Sequence, residues 1–325
     1  MKRFSVTTLF QLGLQGRLAW RRLSQLAIAL FITLALVACA AGTPPDEGTE
    51  AESPTPAETA ASTAIAPAER TVALTSLTAD ILQQLDANKL VGIPGSRLLA
   101  NDSRFDALTE VSSGQTEPNL EKIVALKPDL VVGARGFHDR VLQRLKELKI
   151  PTLTVEVNSL QALTELTETL ATAVEADPAP LLQRYQACLS DVPATQSSVL
   201  VLVSRQPILA PNKESWAGSL LDRFKANNVA ADLQGQSPVR GYVTLSAEKI
   251  LTANPDVILL VDLGSDLLAE FQAQSFWQQL QAVKENRVSS FDYYGLVNPG
   301  SVERIEQTCN QLREVLSGVE TTAQS

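Results

Sequence analysis

Two glutamates, Glu121 and Glu248, stand at matching points of one repeated segment. Leu120–Val132 reads LEKIVALKPDLVV and Ala247–Leu260 reads AEKILTANPDVILL, and Glu, Lys, Ile, Pro and Asp recur 127 residues apart. A carboxylate on each of two equivalent units can address a two-fold partner that offers a cation twice. The competing reading is a helix-start Glu that complements the helix dipole, worth about 0.3–1 kcal/mol, and it explains a single Glu as readily as a matched pair. Four arginines, Arg97, Arg135, Arg205 and Arg240, fall in segments that read as loops after strand C-termini. Guanidinium forks bind carboxylates and catecholate or hydroxamate oxygens. The chain has 27 Lys+Arg against 36 Asp+Glu, a net charge of -9, so such a set favours an anionic ligand. For any one of these arginines, an ordinary surface ion pair is the alternative. The aromatic residues placed with them as ligand contacts are Trp216, Tyr242, Tyr293 and Tyr294.

Other chemistries find little support. One His and three Cys cannot build a His-rich or Cys-rich metal cluster, so bare zinc or manganese is not the expected cargo and no cofactor is expected. G-x-G-x-x-G, G-x-S-x-G, Walker A, H-E-x-x-H and C-x-x-C are all missing from the sequence. A Ser/His/Asp hydrolase would have to use His138 and Asp139 with Ser76 or Ser112, and nothing in their spacing demands it. The acidic balance argues against a nucleic-acid partner.

The elements that position these residues follow from periodicity. Leu120, Ile123, Val124 and Leu126 suit one helix face, Pro128 stops the helix, and Leu130–Val132 is a short buried strand. The second copy gives Ile250, Leu251, Pro255 and a strand over Val257–Val261. Helix, Pro-Asp, then strand is the αβ half of a parallel-sheet unit. Further strands are predicted at 71–74, 89–93, 152–155, 198–203 and 288–291. Helices are predicted at 78–85, 140–148, 160–174, 215–227, 276–284 and 301–316. The repeat offset is too long for a solenoid, so the fold class expected is α/β, with one copy in each of two lobes. The lobes are assigned to 71–176 and 193–318, followed by a tail at 319–325. Asp177-Pro178 reads as a helix start, and a single helix over 177–192 is expected to bridge the lobes; the alternative is one more helix of the first lobe.

The N-terminus reads as an export signal. Residues 1–38 carry five basic residues and no acid, and Leu26–Ala38 is an apolar run of thirteen with only Thr33 polar, short for a membrane span. The run ends in Leu36-Val37-Ala38-Cys39, which looks like a bacterial lipobox with Cys39 as the lipidated residue. An ordinary cleaved signal or an uncleaved anchor is the alternative. Arg21-Arg22 leaves twin-arginine export open beside the general route. Removal of residues 1–38 leaves 22 basic against 36 acidic residues. Segment 39–70, with six acids and five prolines, is expected to be a solvated tether. Cys188 and Cys309 then lie in an oxidising compartment, either bonded to each other or buried as two small apolar residues.

At NLEKIVALKPDLVV (Asn119–Val132), APNKESW (Ala210–Trp216) and SAEKILTANPDVILL (Ser246–Leu260), with a weaker match at CNQL (Cys309–Leu312), the sequence resembles the periplasmic substrate-binding proteins of ABC importers for vitamin B12 and ferric siderophores. The resemblance covers 71–318. It implies two α/β lobes joined by one long helix with a ligand cleft between them, limited hinge closure, and docking of Glu121 and Glu248 into arginine pockets of a permease dimer driven by an ATPase. The chain is then a monomer, tied to a membrane through its lipid alone. In the family's B12 binder, tryptophans occupy the positions of Ala134 and Tyr242, which weakens a corrin ligand here. The expectation is a ferric siderophore or ferric citrate. Cobalamin stays an alternative, as does haem with Tyr242, Tyr293, Tyr294 or His138 as axial ligand.

Overall fold

In a computed structural model, the described residues are 66–114, 116–192, 196–233, 237, 239–262 and 266–323. The predicted leader 1–38, Cys39 and the tether up to residue 65 lie outside them. The folded body begins earlier than the predicted boundary after residue 70. Ala68 is buried, its N–H donates to the Ala173 carbonyl at 2.7 Å, and the N–H groups of Glu69 and Arg70 donate to the Asp129 carboxylate at 2.8 and 2.9 Å. Satisfying those backbone donors draws 68–70 into the body in spite of its polar composition.

The first lobe is a parallel five-stranded sheet of order β3-β2-β1-β4-β5, built from β1 (Thr71–Ala73), β2 (Leu90–Ile93), β3 (Thr109–Glu110), β4 (Leu130–Ala134) and β5 (Thr152–Val155). Helices α1 (Ser76–Asp86), α2 (Leu120–Ala125), α3 (Asp139–Glu147) and α4 (Leu160–Val174) accompany it. Helix α5 (Ala179–Cys188) follows.

The second lobe begins with β6 (Ser198–Leu202), β7 (Ser204–Arg205), β8 (Ile208–Pro211), α6 (Trp216–Arg223), β9 (Asn227–Asn228) and β10 (Tyr242–Leu245). It continues through α7 (Ala247–Ala253), β11 (Val257–Asp262), α8 (Leu267–Gln272), α9 (Gln281–Lys284), β12 (Val288–Asp292), α10 (Tyr293–Leu296) and α11 (Val302–Ala323). Its main sheet, β12-β11-β6-β9, is parallel, and β10-β8-β7 form a separate antiparallel sheet.

The repeat occupies the same place in both lobes. Strand β4 lies between β1 and β5 as β11 lies between β6 and β12. Asn119 and Ser246 cap α2 and α7 by accepting from the N–H of Lys122 and Lys249. Lys127 and Asn254, each just before the Pro, take left-handed backbone conformations with φ of 49° and 39°. Each Asp then holds the start of the neighbouring central strand. Asp129 accepts from residues 69 and 70 ahead of β1, and Asp256 accepts from the N–H and Oγ of Ser198 at the start of β6. A carboxylate on two donors fixes the strand entry more firmly than a neutral acceptor would.

The main departures from the predicted elements lie in the second lobe. Segments 208–211 and 242–245 form strands of the antiparallel sheet, the helix predicted over 215–227 ends at Arg223, and the one predicted over 276–284 is a 3-10 turn at Trp277–Gln279 followed by α9. The last helix runs on to Ala323, through most of the predicted tail.

Sheet strands of the first lobe end with β5 and those of the second start with β6, so the chain passes between the lobes once, by way of α4 and α5. The helix at the predicted bridge spans ten residues, Ala179–Cys188, with Pro178 at its start and Asp177 accepting from the Ala179 N–H. The Tyr185 hydroxyl on α5 meets Thr167 of α4 at 3.0 Å, and burial pushes that phenol up to about 12. Cys188 and Cys309 are joined by a disulfide with Cα atoms 5.4 Å apart, which ties α5 to α11. One apolar cluster, including Leu77, Ile81 and Leu163 of the first lobe and Trp216, Leu220, Ile305 and Leu312 of the second, runs through the junction. Each lobe adds an outer cluster of its own. The parallel sheets of the two lobes are separate, and the core between them is continuous.

Candidate functional site

The pairing of β4 with β5 sets Ala134 opposite Val155, and the Arg135 N–H donates to the Val155 carbonyl at 2.8 Å. One residue further along, Arg135 and Glu156 therefore leave the sheet side by side. Gly136, at φ 79°, turns the chain after Arg135, and its N–H donates to the Asp139 carboxylate. Phe137 follows with 85 % of its surface exposed. These residues form the lip of the first lobe.

The facing lip is 239–241. Gly241, at φ 80°, accepts from the Asn212 N–H at 2.9 Å and presses against Ser215. The segment Ala210–Trp216 is thus a buttress. Asn212 accepts from the Glu214 N–H, the Ser215 hydroxyl donates to the Asn212 carbonyl, and Ser215 also caps α6 through the Gly218 N–H. Gly218 permits this turn, because a Cβ there would fall 1.9 Å from the Asn212 carbonyl oxygen. The buttressed lip presents Val239, 47 % exposed, and Arg240.

The lips meet at one carboxylate. Glu156 of the first lobe lies 3.4 Å from Arg135 Nε and 3.4 Å from Arg240 Nη1, so a single side chain faces guanidinium groups of both lobes. Beside the second lip, the Tyr293 and Tyr294 rings meet edge to face at 5.2 Å. Tyr242 and Tyr293 both pack on the core shared between the lobes. Burial raises the phenol of Tyr242, and the nearby Tyr293 adds to the shift; burial likewise raises Tyr293, with Tyr294 adding and Asn298 opposing. Both phenols are available as hydrogen-bond donors.

Three predicted contacts are not part of this cleft. Trp216 is 2 % exposed, and its indole N–H donates to the Gly295 carbonyl at 2.8 Å. It is a core residue, because its position on α6 faces the inter-lobe core. Arg205 lies on β7 and pairs at 3.0 Å with Glu270 of its own lobe, as a surface ion pair does. Arg97 is exposed and lines a groove of about 590 Å³ with Arg104, Arg184 and Arg304, flanked by α1 and the start of α11. His138, considered as an axial ligand, accepts at Nδ1 from the Ala134 N–H at 2.9 Å; burial lowers its pKa, against the opposing pull of Asp139. Among the described residues, no group of three or more His, Cys, Asp and Glu is gathered as a metal site.

A family model described as periplasmic binding protein matches residues 71–293, most of the chain. The chain belongs to the periplasmic binding protein family. A relative named "Uncharacterized ABC transporter substrate-binding lipoprotein YvrC", from Bacillus subtilis, is 28% identical over 221 residues, covering 63% of this chain and 66% of the relative. The "Vitamin B12-binding protein" of Salmonella typhimurium is 26% identical over 206 residues, covering 61% of this chain and 74% of that protein. Among solved structures, the periplasmic vitamin B12 binding protein BtuF of Vibrio cholerae superposes with a TM-score of 0.61 at 23% identity, over 78% of this chain and 98% of that one. That last likeness is one of fold.

Within this family architecture, Glu121 and Glu248 sit in the first turns of α2 and α7, both exposed. Among the described residues, neither carboxylate forms an ion pair. The residue that sequence reasoning missed is Glu156. Its only signal was its position just after the β5 strand, opposite a residue already singled out.

Proposed function

We propose that this chain is the substrate-binding component of an ABC importer, and that it captures an anionic ferric chelate, a siderophore or ferric citrate, between its lobes. Membership of the periplasmic binding protein family supports the coarser half, capture and delivery without covalent chemistry. The finer half rests on one observation: Arg135 and Arg240, on opposite lobes, converge on a single carboxylate position. A chelate with peripheral carboxylate or catecholate oxygens can take up guanidinium donors there, with Tyr242, Tyr293, Tyr294 and the exposed Phe137 supplying phenol oxygens and ring surface. Glu121 and Glu248 then dock on the permease dimer, whose ATPase drives release. A lipid on Cys39 holds the monomer at the membrane.

The names of several relatives favour cobalamin as the second reading. Against it, Ala134 places no ring at the end of β4, so a corrin would lack an aromatic wall there. Calorimetric titration with ferric hydroxamate, ferric catecholate, ferric citrate, haem and cobalamin tests the proposal. Tight binding of a ferric chelate, lost in the Arg135→Gln/Arg240→Gln double variant, is expected. Tight binding of cobalamin or haem alone would replace it with the second reading.

A further inference from the structure

We propose that Glu156 is a specificity-determining residue: its carboxylate occupies the seat between Arg135 and Arg240 and sets the charge that a bound anion meets. This rests on the function proposed above in taking the cleft as the ligand site, though not on which chelate fills it. Glu156 lies 3.4 Å from Arg135 Nε and 3.4 Å from Arg240 Nη1. It comes from the same lobe as Arg135, and Arg240 reaches it across the cleft. A single carboxylate between two guanidiniums leaves the site with one net positive charge, and neutralising Glu156 leaves two.

Two features argue that its consequence is charge selection and not a latch on the lobes. Side-chain exposure is 62%, 40% and 74% at Arg135, Glu156 and Arg240 respectively, and exposed pairs of this kind stabilise little. The lobes are already held together by the continuous apolar core, the Cys188–Cys309 disulfide and buried polar contacts at α1 and α11. Each guanidinium carries five N–H donors, and the hydrogen bond to Glu156 uses one of them, from Arg240 Nη1 at 3.4 Å. Donors thus remain on both lips for an incoming anion, which either displaces Glu156 or shares the pair with it. A carboxylate built into the seat penalises a ligand of high negative charge through direct repulsion and through the donors it occupies.

The test uses iron-free citrate as the probe, because it reports the anion seat independently of the transported chelate. Citrate is titrated calorimetrically into the full-length protein and into Glu156→Gln, Glu156→Ala and Arg135→Gln/Glu156→Gln/Arg240→Gln. Both single variants are expected to bind citrate at least about fivefold more tightly than the unsubstituted protein, the size expected from removing one charge near the anion. The gain should shrink as salt is raised, and the triple variant should lose it. Equal or weaker citrate binding by both single variants, with circular dichroism showing them folded, overturns the proposal. So does a gain that survives in the triple variant. If citrate binding behaves as expected while no ferric chelate binds any form, the anion seat stands and the iron-chelate reading falls.

Discussion

The carboxylate of Asp80 on α1 accepts a hydrogen bond from the backbone N–H of Val302, the first residue of α11, at 2.8 Å across 222 residues of sequence. Asp80 is 1% exposed and also takes donors from Gln84 and Arg104, at 2.9 and 3.0 Å. Beside it, Arg184 of α5 grips both oxygens of Glu306 on α11 and donates to Gln84 on α1. Helices α1, α5 and α11 are therefore joined by one polar network beside a buried acid. Asp80→Ala leaves the Val302 N–H and part of Arg104 without their acceptor, and is expected to cost about 3 kcal/mol or more. Asp80→Asn keeps one acceptor oxygen and should cost less. Urea unfolding of the two variants checks the order.

The Cys188–Cys309 bond closes a loop of 121 residues. Its loss is expected to lower stability by about 2–5 kcal/mol, mostly by freeing the unfolded chain. The same helices are also held by Arg313, which donates to the carbonyls of Cys188 and Ser190, and by the Arg184–Glu306 fork. Ligand affinity should therefore survive reduction at moderate temperature, while the thermal midpoint falls. Titration and thermal unfolding with and without reductant separate the two effects.

His138 gives the fold a dependence on pH. Burial lowers its folded-state pKa below the ordinary value of 6.5, and its Nδ1 must stay unprotonated to accept from the Ala134 N–H. The folded protein thus takes up that proton at lower pH than the unfolded chain does. The stability contributed by the neutral ring is complete above 6.5 and is lost as pH falls through the folded value. His138→Asn, whose Oδ1 can replace Nδ1 as acceptor, should lose less of its unfolding midpoint between about pH 7.5 and about pH 5. Parallel denaturant titrations at the two pH values measure the difference. An equal loss in both proteins would assign the acid sensitivity to other groups.

Glu121 and Glu248 are exposed and form no ion pair within the described residues, so their replacement should cost little stability, within about 0.5 kcal/mol. Glu121→Ala/Glu248→Ala is expected to abolish ligand-stimulated ATPase activity of the reconstituted permease while leaving ligand affinity unchanged. A drop in affinity with intact stimulation would move both residues from docking to the cleft.

Much of the α/β framework could be read from local pattern. The two copies of E-K-I-x-x-x-x-P-D carry their own instructions: a cap, a helix too short to stand alone, a Pro stop and an Asp that grips the next strand. Each is a contact over a few residues or to an adjacent strand, so the residue types suffice. The antiparallel β7–β8–β10 sheet was not legible. Its strands are four residues or fewer, and β10 pairs with β8 across more than thirty residues of sequence. From local pattern alone, Tyr242 and Arg205 therefore read as loop residues. Trp216 was misplaced for a related reason: an indole beside a predicted cleft loop looks the same in sequence whether it faces ligand or core, and only the packing of α6 decides.

The sequence alone determined that two equivalent units exist and that each sets one glutamate at a helix start. These follow from residue identity and spacing, which act locally. Only the tertiary structure decided which arginines meet. Arg135 reaches Glu156 through strand register and Arg240 through a glycine turn braced on Asn212, while Arg97 faces a different groove and Arg205 pairs within its own lobe. Convergence of side chains from distant segments depends on how sheets and helices pack, and the free energy of that packing is spread over the whole core between the lobes.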